Sequence, residues 1–322
     1  MKRSGNLYKN ISELENLELA FWKAQRGKSA KKAVINFRRN LSQNLKEIRM
    51  ELLGNRVRMG DYHFFTIYDP KKRTICAAPF RERVIQHAVV NLCKDRFEKF
   101  QIYDSFACRK GKGMDACLKR ALQFCKRFKW YLKIDIHKYY DSINHRILLE
   151  LLGKLFKDKE LLFFFTNLID TYEVTPGRGI PIGNLLSQYF ANMYMAVFDH
   201  EIKDRLRIKG YVRYMDDCLI FSDAKDELVE LELKIKNFLK DILDLETNQP
   251  QLNRCVYGIP FLSYRVYPDK LRLSLKAKKR FCKGIKEADR TENSEKALAL
   301  LAFVNRADSL DFRKRYLSYC YR

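Results

Sequence analysis

Tyr211-Val212-Arg213-Tyr214-Met215-Asp216-Asp217-Cys218-Leu219-Ile220-Phe221-Ser222 sets two apolar, β-prone runs on either side of adjacent carboxylates. The pattern predicts a hairpin with Asp216 and Asp217 at its turn. Aspartate is common in turns, because it tolerates unusual backbone angles and bonds its own backbone. Two like charges between strands this hydrophobic are costly, however, unless solvent or a cation compensates them. Taken alone, the stretch is either a solvent-facing turn or half of a metal site.

Upstream, Trp130-Tyr131-Leu132-Lys133-Ile134-Asp135-Ile136 predicts a buried strand with one carboxylate near its end. The chain then turns through His137–Ser142, where Ser142 or Asp141 is placed to cap a helix over 143–156. A lone Asp after a strand is usually a cap or turn former, and the Tyr139-Tyr140 pair is more often packing than chemistry. A second helix spans 159–172. Residues 175–188 follow, with Gly177, Gly179, Pro181 and Gly183 making a loop whose backbone can approach a ligand closely. That loop is either a plain connector or, at the start of a helix over 189–198, a donor of N–H groups to an anion.

The N-terminal 6–50 region has helical spacing, with Leu14, Leu17, Ala20 and Phe21 and then Val34, Phe37, Leu41, Leu45 and Ile48. A β-prone run over 62–68 and another over 74–78 flank Asp69-Pro70-Lys71-Lys72-Arg73, a turn that puts three bases at a hairpin tip. Those bases either blunt a strand edge or meet phosphate. A helix follows, with Pro79 in its first turn and His87 among apolar neighbours, as in a core histidine. The loop 103–113 holds Arg109, Lys110 and Lys112 but lacks phosphate-loop spacing. Downstream of the hairpin, Ser222 and Asp223 are placed to cap a periodic helix. Residues 258–267 and 271–275 read as two strands, and from 276 onward the chain is helical, basic and a small separate lobe.

The totals set the class of partner. Net charge is +24 over 322 residues, and a polyanion is the natural counterpart. Charge alone also fits a membrane surface, but aromatics at 13% among the bases favour nucleic acid, where rings stack on bases. The apolar share of 47% is ample for a core. No run of eighteen uncharged apolar residues and no signal peptide is read, so a cytoplasmic protein with no membrane is expected. The nine cysteines show no metal-finger spacing, in keeping with a reducing compartment.

Three carboxylates at strand ends, a basic hairpin and a glycine loop suit one chemistry. Asp135 with Asp216 and Asp217 could hold two divalent ions about 3.5–4 Å apart, the arrangement for in-line phosphoryl transfer. Mg²⁺ is the expected ion, because hard cations take oxygen ligands. Mn²⁺ is a possible substitute.

Tyr214-Met215-Asp216-Asp217 resembles the YxDD signature of reverse transcriptases, and the order of the other segments resembles their run of motifs. Residues 73–75 with 81–86 resemble the first fingers motif and 105–113 the second. Residues 135–142, with an aromatic five positions after the Asp, resemble the first palm metal motif. Residues 179–188 stand where the nucleotide loop stands, and 258–267 where the primer grip stands. The resemblance implies an α+β right-hand polymerase with fingers, a palm of antiparallel sheet plus helices, and a short helical thumb. It implies an N-terminal helical extension over 1–55, fingers and palm over 56–270 and a basic thumb over 271–322. Fingers would cover about 56–129 and 157–190, and palm about 130–156 and 191–270.

The same resemblance implies site roles. Asp135 and Asp216 would be the main metal ligands, completed by Asp217 and the Ile136 carbonyl. Lys71 and Arg73 would meet the triphosphate of a dNTP, and Tyr140 would exclude a 2′-hydroxyl. Ile182, Gly183, Ser187 and Gln188 would complete the nucleotide pocket. Arg81, Arg109, Lys110, Lys112, Phe261, Leu262, Lys278, Lys279 and Arg280 would meet template and primer.

Pro181-Ile182-Gly183-Asn184-Leu185-Leu186-Ser187-Gln188 departs from the P-Q-G-x-x-x-S-P loop of most bacterial reverse transcriptases. Ile for Gln and Gln for Pro resembles the enzymes of diversity-generating retroelements. That family copies a structured template-repeat RNA into adenine-mutagenised cDNA, with an accessory oligomeric basic variability protein. Other bacterial reverse transcriptases (retron, defence-associated or group II intron-like) are the alternative. A basic RNA-binding protein with structural aspartates is a further one. No lysine precedes the primer grip in 247–254, which leaves the general acid for pyrophosphate unassigned.

Overall fold

A computed structural model describes residues 3–68 and 73–320. The chain divides into two compact units, one of Met1–Ile102, His137–His200 and Phe238–Glu246, the other of Tyr103–Ile136, Glu201–Asn237 and Thr247–Arg322.

The first unit is helical, with one hairpin. Leu17, Ala20 and Phe21 recur at helical spacing on Leu14–Ala24 and are buried together. The 21-residue helix Phe80–Phe100 buries residues on several faces, among them Val84, Ile85, Ala88, Val89, Cys93 and Phe97, and serves as the unit's central rod. Pro79 stands just before that helix as its N-cap and not inside its first turn. Phe97 meets Phe156 at 5.3 Å, Phe156 meets Phe165 at 5.6 Å and Phe165 meets Phe190 at 5.3 Å, edge-on throughout. Each fully buried ring contributes about 1.5–3 kcal/mol.

Strands β1 (His63–Ile67) and β2 (Arg73–Ala77) pair antiparallel from His63↔Ala77 to Ile67↔Arg73. The hairpin tip, Lys71 included, lies outside the described residues. Two local expectations change. Tyr139–Ser142 forms a short helix of its own, and Asn144 caps His145–Leu155 by accepting from the Ile147 N–H at 3.3 Å. The Ser142 hydroxyl instead donates back to the His137 and Lys138 carbonyls. The helix predicted from 189 begins earlier, spanning Leu185–His200.

The second unit contains a four-stranded and a three-stranded sheet. Strands β3 (Trp130–Asp135), β4 (Gly210–Tyr214), β5 (Asp217–Ser222) and β6 (Gln251–Arg254) are ordered β4-β5-β3-β6, all antiparallel. The short, polar β6 has no apolar alternation for a sequence to display. The run 258–267 proves to be two strands, β7 (Ile259–Phe261) and β8 (Tyr264–Val266), reversed at Leu262-Ser263, and β9 (Leu271–Leu273) completes that sheet. Both turn residues have positive φ, 48° and 72°.

Helix Met114–Arg127 buries Cys117, Leu118, Ala121, Phe124 and Cys125 in a core shared with Tyr131, Val212, Leu219 and Phe221. Phe281, Ile285 and Val304 from the C-terminal helices join that same core, so this segment does not build a core of its own. Among the described residues no helix is long and apolar enough to cross a membrane.

Candidate active site

Side chains two apart on a strand share a face, so Lys133 and Asp135 of β3 project to one side. In register, Asp135 is paired with Asp217 and Lys133 with Leu219. Two carboxylates directly opposite on neighbouring strands repel, and such pairs are destabilising in a sheet. The β4–β5 turn consists of Met215 and Asp216, with Met215 at φ 58°. Asp217 is therefore the first residue of β5 and not part of the turn, because Tyr214↔Asp217 closes the ladder.

The carboxylates are held by neighbours the sequence did not single out. Lys133 Nζ stands 3.1 Å from Asp217 Oδ2 and donates to the Pro260 carbonyl at 2.9 Å. Asn248 donates its side-chain amide to Asp135 Oδ2 at 2.6 Å and its backbone N–H to the Asp135 carbonyl at 2.8 Å. Asp217 Oδ1 is buried with no hydrogen-bond partner. Burial pushes the Asp217 carboxyl from 3.8 up to about 7; Lys133 opposes the shift, while Asp135 and Asp216 add to it. The one ammonium beside Asp217 offsets only part of the cost of burying its charge.

A fully buried arginine supports the turn. Arg213 donates to the Met215 carbonyl and to Ser105 Oγ, each at 2.9 Å, and its backbone N–H reaches the Asp104 carbonyl at 2.9 Å. The signature's turn is thus clamped by the residue two positions before it.

Among the described residues no three His, Cys, Asp or Glu side chains stand together as a group that could hold a metal ion. The donors still fit a hard cation. They are carboxylate oxygens, one of them buried and unpartnered, and two others are engaged by Lys133 and Asn248.

In the first unit, loop 179–188 is stitched to three segments. Ile180 N–H donates to the Tyr140 carbonyl at 2.9 Å, and Cys76 N–H donates to the Ile182 carbonyl at 2.7 Å. Gln86 Oε1 accepts from the N–H groups of Leu185 (3.0 Å) and Leu186 (3.3 Å). Of the two readings of the loop, a plain connector or a donor of N–H groups to an anion, the first fits these two groups, which Gln86 already satisfies. Gly183 has φ 115°, and a Cβ there would stand 3.0 Å from the Cys76 carbonyl oxygen, so glycine is required. Ile182, Gly183, Tyr140 and the strand that begins at Arg73 are thereby gathered in one unit. Ser187 is buried on the helix that follows, and Gln188 and Gly183 line a cavity of about 710 Å³ with Ile75, Phe65, Lys31 and Arg83.

The remaining expected contacts divide. Arg81 is paired with Glu51 at 2.6 Å. Arg109 donates to the Ser105 carbonyl, and Lys112 lies 3.5 Å above the Tyr103 ring, so both help order their own loop while Lys110 is exposed. Phe261 is a core side chain, 1% exposed, and cannot itself touch a primer; Leu262 stands at the turn instead. Lys279 is exposed, whereas Lys278 and Arg280 lie over the rings of Phe312 and Phe303. Ile136 is buried and bridges to Thr247 just past the strand end.

Residues 68–266 match the family described as reverse transcriptase (RNA-dependent DNA polymerase). The chain belongs to this family. Among curated proteins, this reverse transcriptase is similar to the putative COX1/OXI3 intron 1 protein of Saccharomyces cerevisiae, at 22% identity over 219 residues. That match covers 64% of this chain and 25% of the yeast protein. It is also similar to Protein YkfC of Escherichia coli, 20% identical over 176 residues, covering 49% of this chain and 46% of that one. The chain thus spans less than half of either relative. Of solved structures, apo telomerase from Candida tropicalis aligns with a TM-score of 0.51 at 13% identity, over 67% of this chain and 49% of that one. Telomerase from Candida albicans, in complex with a TWJ fragment of telomeric RNA, aligns with a TM-score of 0.53 at 12% identity, over 83% and 57%. At such identities the likeness is one of fold, and the fold is that of a right-hand polymerase.

Proposed function

We infer that this reverse transcriptase is an RNA-directed DNA polymerase of a diversity-generating retroelement. The observation that carries the polymerase reading is the in-register Asp135↔Asp217 pair beside the Asp216 turn. Asp135, Asp216 and Asp217 would hold Mg²⁺, with Ile136 offering a carbonyl. The ions, when bound, supply charge for an attacking 3′-hydroxyl and a departing pyrophosphate. In the other unit, Arg73, Tyr140, Ile182, Gly183, Ser187 and Gln188 would receive the dNTP, and Lys71, outside the described residues, is assigned the same task. Fingers, palm and thumb would follow the boundaries expected above, with RNA template and RNA/cDNA duplex as the polyanionic partners.

Ile182 and Gln188 support the subfamily. An apolar side chain in place of a hydrogen-bonding one discriminates poorly between correct and incorrect partners, which suits a copier that errs at template adenines. The element's own RNA and an accessory oligomeric basic protein complete that reading. A group II intron-like enzyme is the second reading, favoured by relatives named as intron proteins in Saccharomyces cerevisiae and Schizosaccharomyces pombe. Sequencing the cDNA made from a defined RNA template, with the accessory protein present, separates the two. Misincorporation concentrated opposite adenine, and reduced in Ile182→Gln, supports the retroelement. Error spread evenly over the four bases discards it and leaves the intron-like reading.

A further inference from the structure

We propose that Lys133 is a positioning residue that holds the place of a cation at Asp217 and ties the carboxylate site to the β7–β8 hairpin. The proposal rests on the polymerase reading above. Its ammonium bridges two elements, 3.1 Å from Asp217 Oδ2 and 2.9 Å from the Pro260 carbonyl oxygen. Both charged side chains are largely shielded, 17% and 18% exposed. Removing one partner of a shielded ion pair strands the other as an uncompensated buried charge, so the two groups are strongly coupled.

Three features make this contact more than a strut. Lys133 neutralises one of two carboxylates forced opposite each other by the β3–β5 register, the task a bound cation would perform. The other oxygen of the same carboxylate is buried without a partner, so Lys133 answers half of Asp217 and leaves half for an incoming ligand. Finally, the hairpin it holds reverses through two non-glycine residues at positive φ, Leu262 and Ser263, a strained turn that benefits from an external anchor. Asp217 Oδ2 cannot join a cation's shell fully while it is engaged by an ammonium. A cation entering the site therefore competes with Lys133 for Asp217, and the Pro260 end of the bridge makes that competition felt at the hairpin.

The two ends of the bridge predict opposite effects of one substitution. Lys133→Met keeps the aliphatic stem and removes the charge and the donors. Without a like charge beside the site, Mn²⁺ should bind about tenfold tighter, read by electron paramagnetic resonance of free Mn²⁺ without nucleotide. With the Pro260 carbonyl released, affinity for a fluorescent RNA/DNA primer–template, read by anisotropy in Ca²⁺ without turnover, should fall several-fold. Lys133→Arg restores a cation and donors and should return both values toward those of the natural protein. Thermal unfolding of each variant identifies a folding defect. Should Lys133→Met prove unfolded, the Lys133→Arg and Lys133→Gln pair carries the same comparison. Weakened or unchanged Mn²⁺ binding in folded charge-removing variants overturns the proposal, as does unchanged primer–template affinity. If the natural protein binds no Mn²⁺ and extends no primer, the polymerase reading itself has failed; a natural protein that does both, beside an indifferent Lys133→Met, rejects only the role of Lys133.

Discussion

Asp217 shows how a backbone register can create a chemical demand. Its pairing with Asp135 is fixed by the β3–β5 ladder, which sets the two residues directly opposite each other. Lys133 and Asn248 relieve part of the repulsion. Lys133 was legible in principle, because a lysine two positions before Asp135 on a strand must share its face. Asn248 was not, since nothing local says that residue 248 returns to the end of β3. A different single-residue effect sits at His87, where burial, aided by Lys23 and Lys28, pushes the imidazole from 6.5 down to about 4. The folded pKa lies below the unfolded one, so the neutral ring's contribution is complete above about pH 6.5 and is lost as pH falls toward 4. Lowering the pH from 7 to 4.5 should therefore cost about 1–2 kcal/mol through this residue, once solvent screening of the partly exposed ring is allowed for. In urea unfolding, His87→Gln should lose less stability over that interval than the natural protein, and equal losses would exclude the effect.

Among elements, the hairpins were partly readable. Alternation and apolar bulk announced β3, β4 and β5, but the run 258–267 concealed a tight reversal, because Leu262-Ser263 carries no glycine or asparagine to mark it. Phe261 was placed at the primer by the resemblance of 258–267 to a primer grip, whereas its alternation on β7 turns it into the core. Two-residue loops with positive φ at both positions favour Asn-Gly, so Leu262→Asn with Ser263→Gly should relieve strain. We expect stabilisation of about 0.5–1 kcal/mol by denaturant midpoint. A loss of stability would mean that Leu262 packing outweighs the turn. The loop 179–188 was legible as glycine-rich, but the closure of its helix end by Gln86 is a tertiary event.

At the scale of the whole molecule, charge was the clearest message of the composition. A net charge of +24 implies a polyanion irrespective of fold, and the described bases lie in both units. Binding to a structured RNA should weaken about a hundredfold or more between 50 and 200 mM salt, measured by filter retention. A flat salt response would remove phosphate contacts from the account. The division into two units escaped the linear reading, because each is assembled from three separate stretches of chain. What the order of motifs did convey was the polymerase fold, since an ordered run of different motifs constrains topology more than any one segment does.

The central claim is that Asp135, Asp216 and Asp217 run RNA-templated DNA synthesis. Primer extension on a defined RNA template with dNTPs and Mg²⁺ tests it, comparing the natural protein with folded Asp135→Ala and Asp216→Ala. Extension by the natural protein, lowered about a thousandfold or more in each variant, is the predicted result. Extension that persists in either variant, or is absent from the natural protein under every divalent ion, would contradict the claim.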